Sequence, residues 1–219
     1  GRSVYCDETG GDYYDFIELV DIGPDRLGIA VGDVSGHGIG AALLMASARA
    51  VLRAHAVLHG EDLSGLFAAL NRHLVRDTGS SRFMTLFYGD LDATRNTLRW
   101  TSAGHEPALH YEAATDEIHE LANTGMPLGV IAEAVFEQDG PVTLRAGDVV
   151  IVGTDGIWES RNAEGELFGR ERVQELLKET AASPADRIYS TIVETVCAWR
   201  GSRPQEDDVT LVVMRKTEE

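Results

Sequence analysis

The sequence predicts an α+β fold in which two antiparallel sheets pack against one another with pairs of helices outside. Three observations point there. Apolar, β-prone runs come in pairs joined by short turns. Two pairs of helical segments, within 39–77 and 170–199, interrupt them. The resulting order of strands, two helices, many strands, two helices and a strand lacks the βαβ alternation of a doubly wound parallel sheet.

Gly1-Arg2-Ser3-Val4-Tyr5 reads as direct entry into a strand. Residues 13–22 and 26–33 run apolar or alternate around the turn Gly23-Pro24-Asp25, the pattern of a hairpin. Its arms are of similar length, so the hairpin brings Asp12 and Asp33 together. From Ala41 the chain is rich in strong helix formers and free of Gly and Pro, which predicts a helix to about His59. Leu63, Leu66, Phe67, Leu70 and Leu74 form a stripe at helical spacing, predicting a second helix over 62–77. Strands are predicted over 83–91, 97–102, 108–112, 135–144 and 149–154, with 92–96 a hairpin turn. Helices are predicted over 170–181 and 185–199, Pro184 suiting the first turn of the latter, and 209–215 closes the chain as a strand.

The 219 residues, 43% hydrophobic and 25% charged, suffice for one domain with a substantial core, and no low-complexity linker divides them. The expectation is one catalytic domain over 1–219, excised from a longer chain. The net charge of −17 comes from 19 Lys+Arg against 36 dispersed Asp+Glu. Nucleic acid is thereby disfavoured as a partner, since its binding rests on basic patches. Cys6 and Cys197 match no zinc or redox spacing, which reads as a reduced, cytoplasmic protein with a single disulfide the lesser alternative. No apolar stretch is read as approaching the roughly 20 residues a bilayer crossing needs, so no membrane insertion is expected of this domain.

Four aspartate clusters carry the chemistry: Gly10-Gly11-Asp12-Tyr13-Tyr14-Asp15, Gly32-Asp33-Val34-Ser35-Gly36-His37-Gly38, Thr154-Asp155-Gly156 and Asp207-Asp208. Acids at strand ends, with glycine allowing close backbone approach, suit hard divalent cations, which prefer oxygen ligands. If Asp12, Asp33, Asp155 and Asp207 converge, any two carboxylates about 4 Å apart repel by roughly 4 kcal/mol at an effective dielectric near 20. Two Mn²⁺ or Mg²⁺ ions reverse that sign and, about 3.5 to 4 Å apart, can share a bridging water whose pKa falls toward about 7. Hydrolysis of a phosphate ester is the leading chemistry. Asp92, Asp116 and Asp148 read instead as ordinary turn residues.

In order along nearly the whole chain, these clusters together with Ser102-Ala103-Gly104-His105-Glu106-Pro107, Gly125-Met126-Pro127-Leu128-Gly129, Thr154-Asp155-Gly156-Ile157-Trp158-Glu159 and Asp207-Asp208-Val209-Thr210-Leu211 resemble the metal-dependent (PPM, type 2C) protein phosphatases, specifically the bacterial sporulation stage II E (SpoIIE) branch. The resemblance implies a four-layer α-β-β-α sandwich and hydrolysis of phosphoserine or phosphothreonine with two Mn²⁺ or Mg²⁺ ions. It also implies direct attack of the bridging water, without a phosphoenzyme. Asp12, Asp33, the Val34 carbonyl, Asp155 and Asp207 are the implied ligands, with Asp33 bridging and with Asp15 and Asp208 as alternates. The implied substrate is a phosphorylated STAS-domain anti-anti-sigma factor, under control of an upstream sensor or receiver domain in cis. Homodimerisation is left open. Where the eukaryotic type 2C pattern has a phosphate-gripping Arg this chain has Asp7, and where it has a His this chain has Ser35; the SpoIIE branch commonly lacks both.

His37 is a candidate to protonate the leaving serine oxygen, imidazole being the common general acid of neutral pH; the alternative is that it only shapes the glycine loop. His105 reads as a hydrogen-bonded turn residue. His55 and His59 have i, i+4 zinc spacing but lack the following Glu, which reads as a solvated helix end. Two rival functions stand beside the phosphatase: a phosphoprotein-binding module of the same fold with a weak site, and a hydrolase of small phosphate esters.

Overall fold

The computed structural model describes residues 1–6, 9–78 and 82–218. Asp7, marked above as a departure from the eukaryotic pattern, lies outside them. The strands are β1 (Arg2–Val4), β2 (Tyr13–Glu18), β3 (Arg26–Val34), β4 (Met84–Asp92), β5 (Thr97–Ala103), β6 (Ala108–Glu112), β7 (Glu117–Leu121), β8 (Asp139–Thr143), β9 (Val149–Gly153) and β10 (Val209–Arg215). The helices are α1 (Ile39–His59), α2 (Leu63–Thr78), α3 (Arg170–Thr180) and α4 (Ala185–Arg200). One sheet runs β2-β3-β4-β5-β8 and the other β1-β10-β9-β6-β7, all pairings antiparallel.

Three apolar layers define the sandwich. Ala41, Leu44, Ala48, Leu52 and Ala56 of α1 pack with α2 onto Ala30, Val34, Leu86 and Tyr88 of the first sheet. Ile29, Val31, Phe87, Val150, Val152 and Val212 fill the space between the sheets. Val149, Ile151 and Leu211 face Val173, Leu177, Ile188 and Ile192 of α3 and α4. Along β9 the side chains alternate, Val149 and Ile151 toward helices, Val150 and Val152 toward the opposite sheet. That alternation of a strand buried on both faces is why Val149–Gly153 reads as an unbroken apolar run.

The structure departs from expectation in three places. The predicted strand over 135–144 shortens to Asp139–Thr143, an edge strand whose register with β5 shifts between Leu98 and Trp100. Phe136 leaves the sheet to pack on Phe67 of α2, ring centroids 5.8 Å apart. Strand β7, Glu-Ile-His-Glu-Leu, was not anticipated. Its half-exposed edge position is filled by charged residues that mask the apolar alternation, as edge strands commonly are. Finally, α1 has 21 residues and a mean hydropathy of 1.4 over its most apolar window, long and apolar enough by composition to cross a bilayer, contrary to the sequence reading. One face packs in the core, Ile39, Leu43 and Leu58 are exposed, and Arg49 and Arg53 lie on the flank and reach Asp15 of β2.

Buried charge elsewhere is paired. Asp90, wholly buried, accepts from Arg26 and from Arg99, 2.7 Å to Nη2. Asp148 accepts from the Arg145 and Ala113 amides at 2.8 and 3.0 Å, the turn role expected of it.

Candidate metal centre

Antiparallel pairing places the acidic clusters at one end of the sandwich. The β2–β3 register sets Tyr13 opposite Gly32, so Asp12 and Asp33 leave neighbouring strand ends side by side. The β9–β10 register sets Gly153 opposite Leu211, which brings Asp155, just past β9, beside Asp207, just before β10. Two glycines make the close approach feasible. A Cβ on Gly156 would lie 1.9 Å from the Asp208 carbonyl oxygen, and one on Gly11 would lie 2.7 Å from the Val34 carbonyl oxygen.

The two sheets are joined at the site through Asp12. Thr154 Oγ1 donates to Asp12 Oδ2 at 2.7 Å, and the same hydroxyl accepts from the Thr210 amide at 3.1 Å. Asp12 Oδ1 is buried and has no hydrogen-bond partner. Asp208 is buried as well; its Oδ1 accepts from the Cys6 amide at 2.8 Å and its Oδ2 from the Asp12 amide at 3.5 Å. Its carboxylate is therefore spent on backbone. Asp15 points into the helix layer, where Tyr13 Oη, at 2.8 Å, and Arg53 Nε and Nη2, both at 2.6 Å, donate to it and Arg49 stands 3.3 Å away.

These surroundings separate the aspartates electrostatically. Burial, augmented by Asp208 and Asp207 and opposed by Thr210 and Thr154, pushes Asp12 up to about 7. Burial and then the charges of Asp12, Asp155, Asp207 and Asp208 push Asp33 up to about 8. Burial, Asp207 and Glu159 push Asp155 up to about 6, and burial also raises Asp207, against the pull of the Asp208 amide and of His37. Burial would raise Asp15 too, but its hydrogen bonds from Arg53 and Tyr13 hold it below the usual carboxylate range. Mutual repulsion thus links Asp12, Asp33, Asp155, Asp207 and Asp208, whereas Asp15 is neutralised by arginines.

Between the sheets' ends lies a cleft of about 340 Å³, lined in part by Asp33, Ser35, Asp155, Glu159 and Asp207. A neighbouring lobe of about 310 Å³ is lined by Cys6, Asp33, Val34, His37 and Asp207. Among the described residues no group of three or more His, Cys, Asp or Glu side chains is already disposed to hold a metal ion. The donor set nonetheless fits one. Its members are hard oxygens, they raise one another's pKa values, and one buried carboxylate oxygen lacks any partner. His55 and His59 stack on each other, centroids 5.6 Å apart, and His55 also meets His73 of α2, so the helix end is a histidine cluster rather than a bare solvated face. Cys6 and Cys197 are free thiols.

The family model for stage II sporulation protein E (SpoIIE) matches residues 23–217. The chain belongs to the SpoIIE family. This SpoIIE-family chain is 29% identical over 214 residues to the phosphoserine phosphatase RsbU of Bacillus subtilis, covering 98% of the chain and 62% of RsbU. It is 31% identical to the solved RsbU and RsbW domains of Rv1364c from Mycobacterium tuberculosis, with a TM-score of 0.78 over 96% of the chain and 56% of that structure. The SiaA-PP2C domain of Pseudomonas aeruginosa has the same fold, with a TM-score of 0.83 at 24% identity over 98% of this chain and 85% of that one. The chain thus spans a little over half the length of these RsbU-type relatives.

One feature of the SpoIIE-type site was not anticipated, the role of Thr154, whose hydroxyl orients Asp12; its place directly before Asp155 was visible, its partner was not. His105 is hydrogen-bonded, as expected, and is buried in the wall of the cleft with Nδ1 3.0 Å from Thr85 Oγ1. Thr85 pairs with Asp33 across β3 and β4, so the histidine props the strand carrying that ligand candidate. Burial drives the ring's pKa down to about 4, against a partial pull from the Gly153 carbonyl, and the imidazole is neutral.

Proposed function

We propose that this domain is a metal-dependent serine/threonine protein phosphatase. The observation that carries the reading is that Asp33, Asp155 and Asp207, from both sheets, line one cleft with buried Asp12 coupled electrostatically to Asp33, all four carboxyls being raised by burial. The likeness to RsbU, a phosphoserine phosphatase, supports the substrate class.

In this reading Asp12, Asp33, the Val34 carbonyl, Asp155 and Asp207 would hold two Mn²⁺ or Mg²⁺ ions. Bound there, the ions supply Lewis acidity, making water a competent nucleophile near neutral pH and offsetting charge on the phosphoryl oxygens. The chain's own residues do the rest. Thr154 holds Asp12 in one orientation through its hydrogen bond. Asp208, occupied by the Cys6 and Asp12 amides, fixes the backbone beside Asp207 and is not a ligand. His37 lines the same cleft as Asp33 and Asp207 and is the group offered for protonating the departing serine or threonine oxygen. No side chain acts as nucleophile, so no phosphoenzyme forms. The physiological substrate in this reading is a phosphorylated STAS-domain anti-anti-sigma factor, the protein acts in the cytoplasm, and an upstream sensor or receiver domain governs it.

The test is turnover of p-nitrophenyl phosphate and of a phosphoserine protein, with and without Mn²⁺, for the parent and for Asp33→Asn and Asp155→Asn. Metal-dependent turnover of both substrates, lost in the variants, is expected. Metal-independent turnover, or variants as active as the parent, would refute the mechanism. Turnover of the small ester alone would identify a small-ester hydrolase, and inactivity on both with intact folding a binding module.

A further inference from the structure

A second cavity, of about 240 Å³, opens beside the cleft on the side away from Asp33, and Glu159 and Asp207 form part of the wall of both. The two are thus neighbours across a shared wall. What distinguishes the second is its lining of Arg161, Arg200 and Arg203. In a chain with 36 acids and only 19 bases, three arginines gathered at one cavity stand against the prevailing charge.

Their donors are only partly used. Arg161, exposed, gives Nη1 to the Gly165 carbonyl at 3.0 Å. Arg200 gives Nη1 to Gln205 Oε1 at 3.0 Å, and its buried Nε has no partner. Arg203 donates Nε at 3.1 Å and Nη2 at 2.7 Å to one oxygen, Glu206 Oε1, and Nη1 to the Asn162 carbonyl at 3.5 Å. That pair is a solvent-exposed i, i+3 bridge, of a kind worth little and readily exchanged. Glu206 shows the anion such a guanidinium takes here: a single carboxylate held by two N–H groups.

We propose that this cavity is a docking subsite for a carboxylate side chain on the protein segment whose phosphoserine occupies the cleft, the substrate carboxylate replacing Glu206 at the arginines. The proposal rests on the phosphatase reading and deepens it by assigning an acidic flank to the substrate. A carboxylate suits the site better than a second phosphate, because a dianion would face Glu159 and Glu206 at close range whereas a monoanion is matched by the arginine forks.

The experiment uses phosphoserine peptides identical but for flanks bearing Asp, Asn, Lys or a second phosphoserine, each flank residue moved through successive positions. Binding is read by fluorescence anisotropy with Mn²⁺ present, and turnover separately, for the parent, Arg161→Gln/Arg203→Gln and Arg161→Glu/Arg203→Glu. At the best position the Asp peptide is expected to bind about two- to fivefold tighter than the Asn peptide, the range for an exposed ion pair. The advantage disappears in the Gln variant, the Glu variant prefers the Lys peptide, and p-nitrophenyl phosphate turnover is unchanged in both. Equal binding of all peptides by the parent, tighter binding of the doubly phosphorylated peptide than of the Asp peptide, or an equal loss of small-ester turnover in both variants would overturn the subsite. Acidic preference in binding without hydrolysis would leave the subsite standing and sink the phosphatase reading.

Discussion

Thr154 and Asp12, 142 positions apart in sequence, are joined by a buried 2.7 Å hydrogen bond that crosses from one sheet to the other. The Thr154 hydroxyl satisfies one oxygen of a buried carboxylate and leaves the other free. An orienting group that leaves an oxygen available is what a ligand carboxylate requires, since such outer partners commonly set ligand geometry and metal affinity.

Thr154→Val should therefore do two things. It strands Asp12 Oδ2 in a buried site, at a cost of about 1 to 3 kcal/mol in denaturant unfolding. It also raises the Mn²⁺ concentration for half-maximal activity by about tenfold or more. Thr154→Ser should restore both. A Val variant with parental metal dependence would show that the bond serves folding alone.

Asp33→Asn should stabilise the chelator-treated protein while abolishing activity. The sign follows from the raised pKa of about 8. Between the unfolded value near 4 and about 8 the folded parent binds more protons than the unfolded chain, so its stability falls as pH rises through that window. The Asn variant lacks this loss. The gap in melting temperature should open from pH 4 to 8 and favour the variant, and added Mn²⁺ should raise the melting temperature of the parent much more than that of the variant.

His105 predicts a pH dependence of opposite sense. Its folded pKa, near 4, lies below the unfolded value of about 6.5, so below pH 6.5 the unfolded chain binds the extra proton. Stability from this group is complete above pH 6.5 and is lost as pH falls to 4, by roughly 3 kcal/mol. Urea titrations at pH 4.5 and 7.5 on parent and His105→Gln should show the variant with the shallower pH dependence.

Asp15→Asn distinguishes the neighbouring acids. Asp15 is tied to Arg53 and Tyr13 and stands apart from the repelling set. Since Arg53 is 42% exposed at its side chain, screening limits the loss to about 1 to 2 kcal/mol. Metal dependence of activity should be unchanged. A weakened response to Mn²⁺ would place Asp15 at the metal after all.

Much of the site was legible because strand ends are. Asp33 and Asp155 close long apolar runs and Asp207 precedes one, so position in the sheets follows from patterning, and the hairpin of β2 and β3 sets Asp12 beside Asp33. Side-chain direction was not legible. Asp12 and Asp15 share a motif, and only the packing of Arg49 and Arg53 of α1 on β2 separates the acid in the cleft from the acid in the helix layer. Likewise Asp207 and Asp208 are adjacent, and it takes the amide of Cys6, some 200 residues away, to reveal which one is turned inward. Strand β7 was missed because its charged edge lacks the apolar rhythm that made β9 plain.

The pairing of β1 with β10, through Arg2–Leu211, Ser3–Thr210 and Val4–Val209, continues into the Cys6 amide that Asp208 accepts. Strand β1 and the loop carrying Asp207 and Asp208 are thereby clasped twice, by the ladder to β10 and by the Cys6 amide on Asp208, so an acid of the candidate site is anchored by a segment some 200 residues distant in sequence.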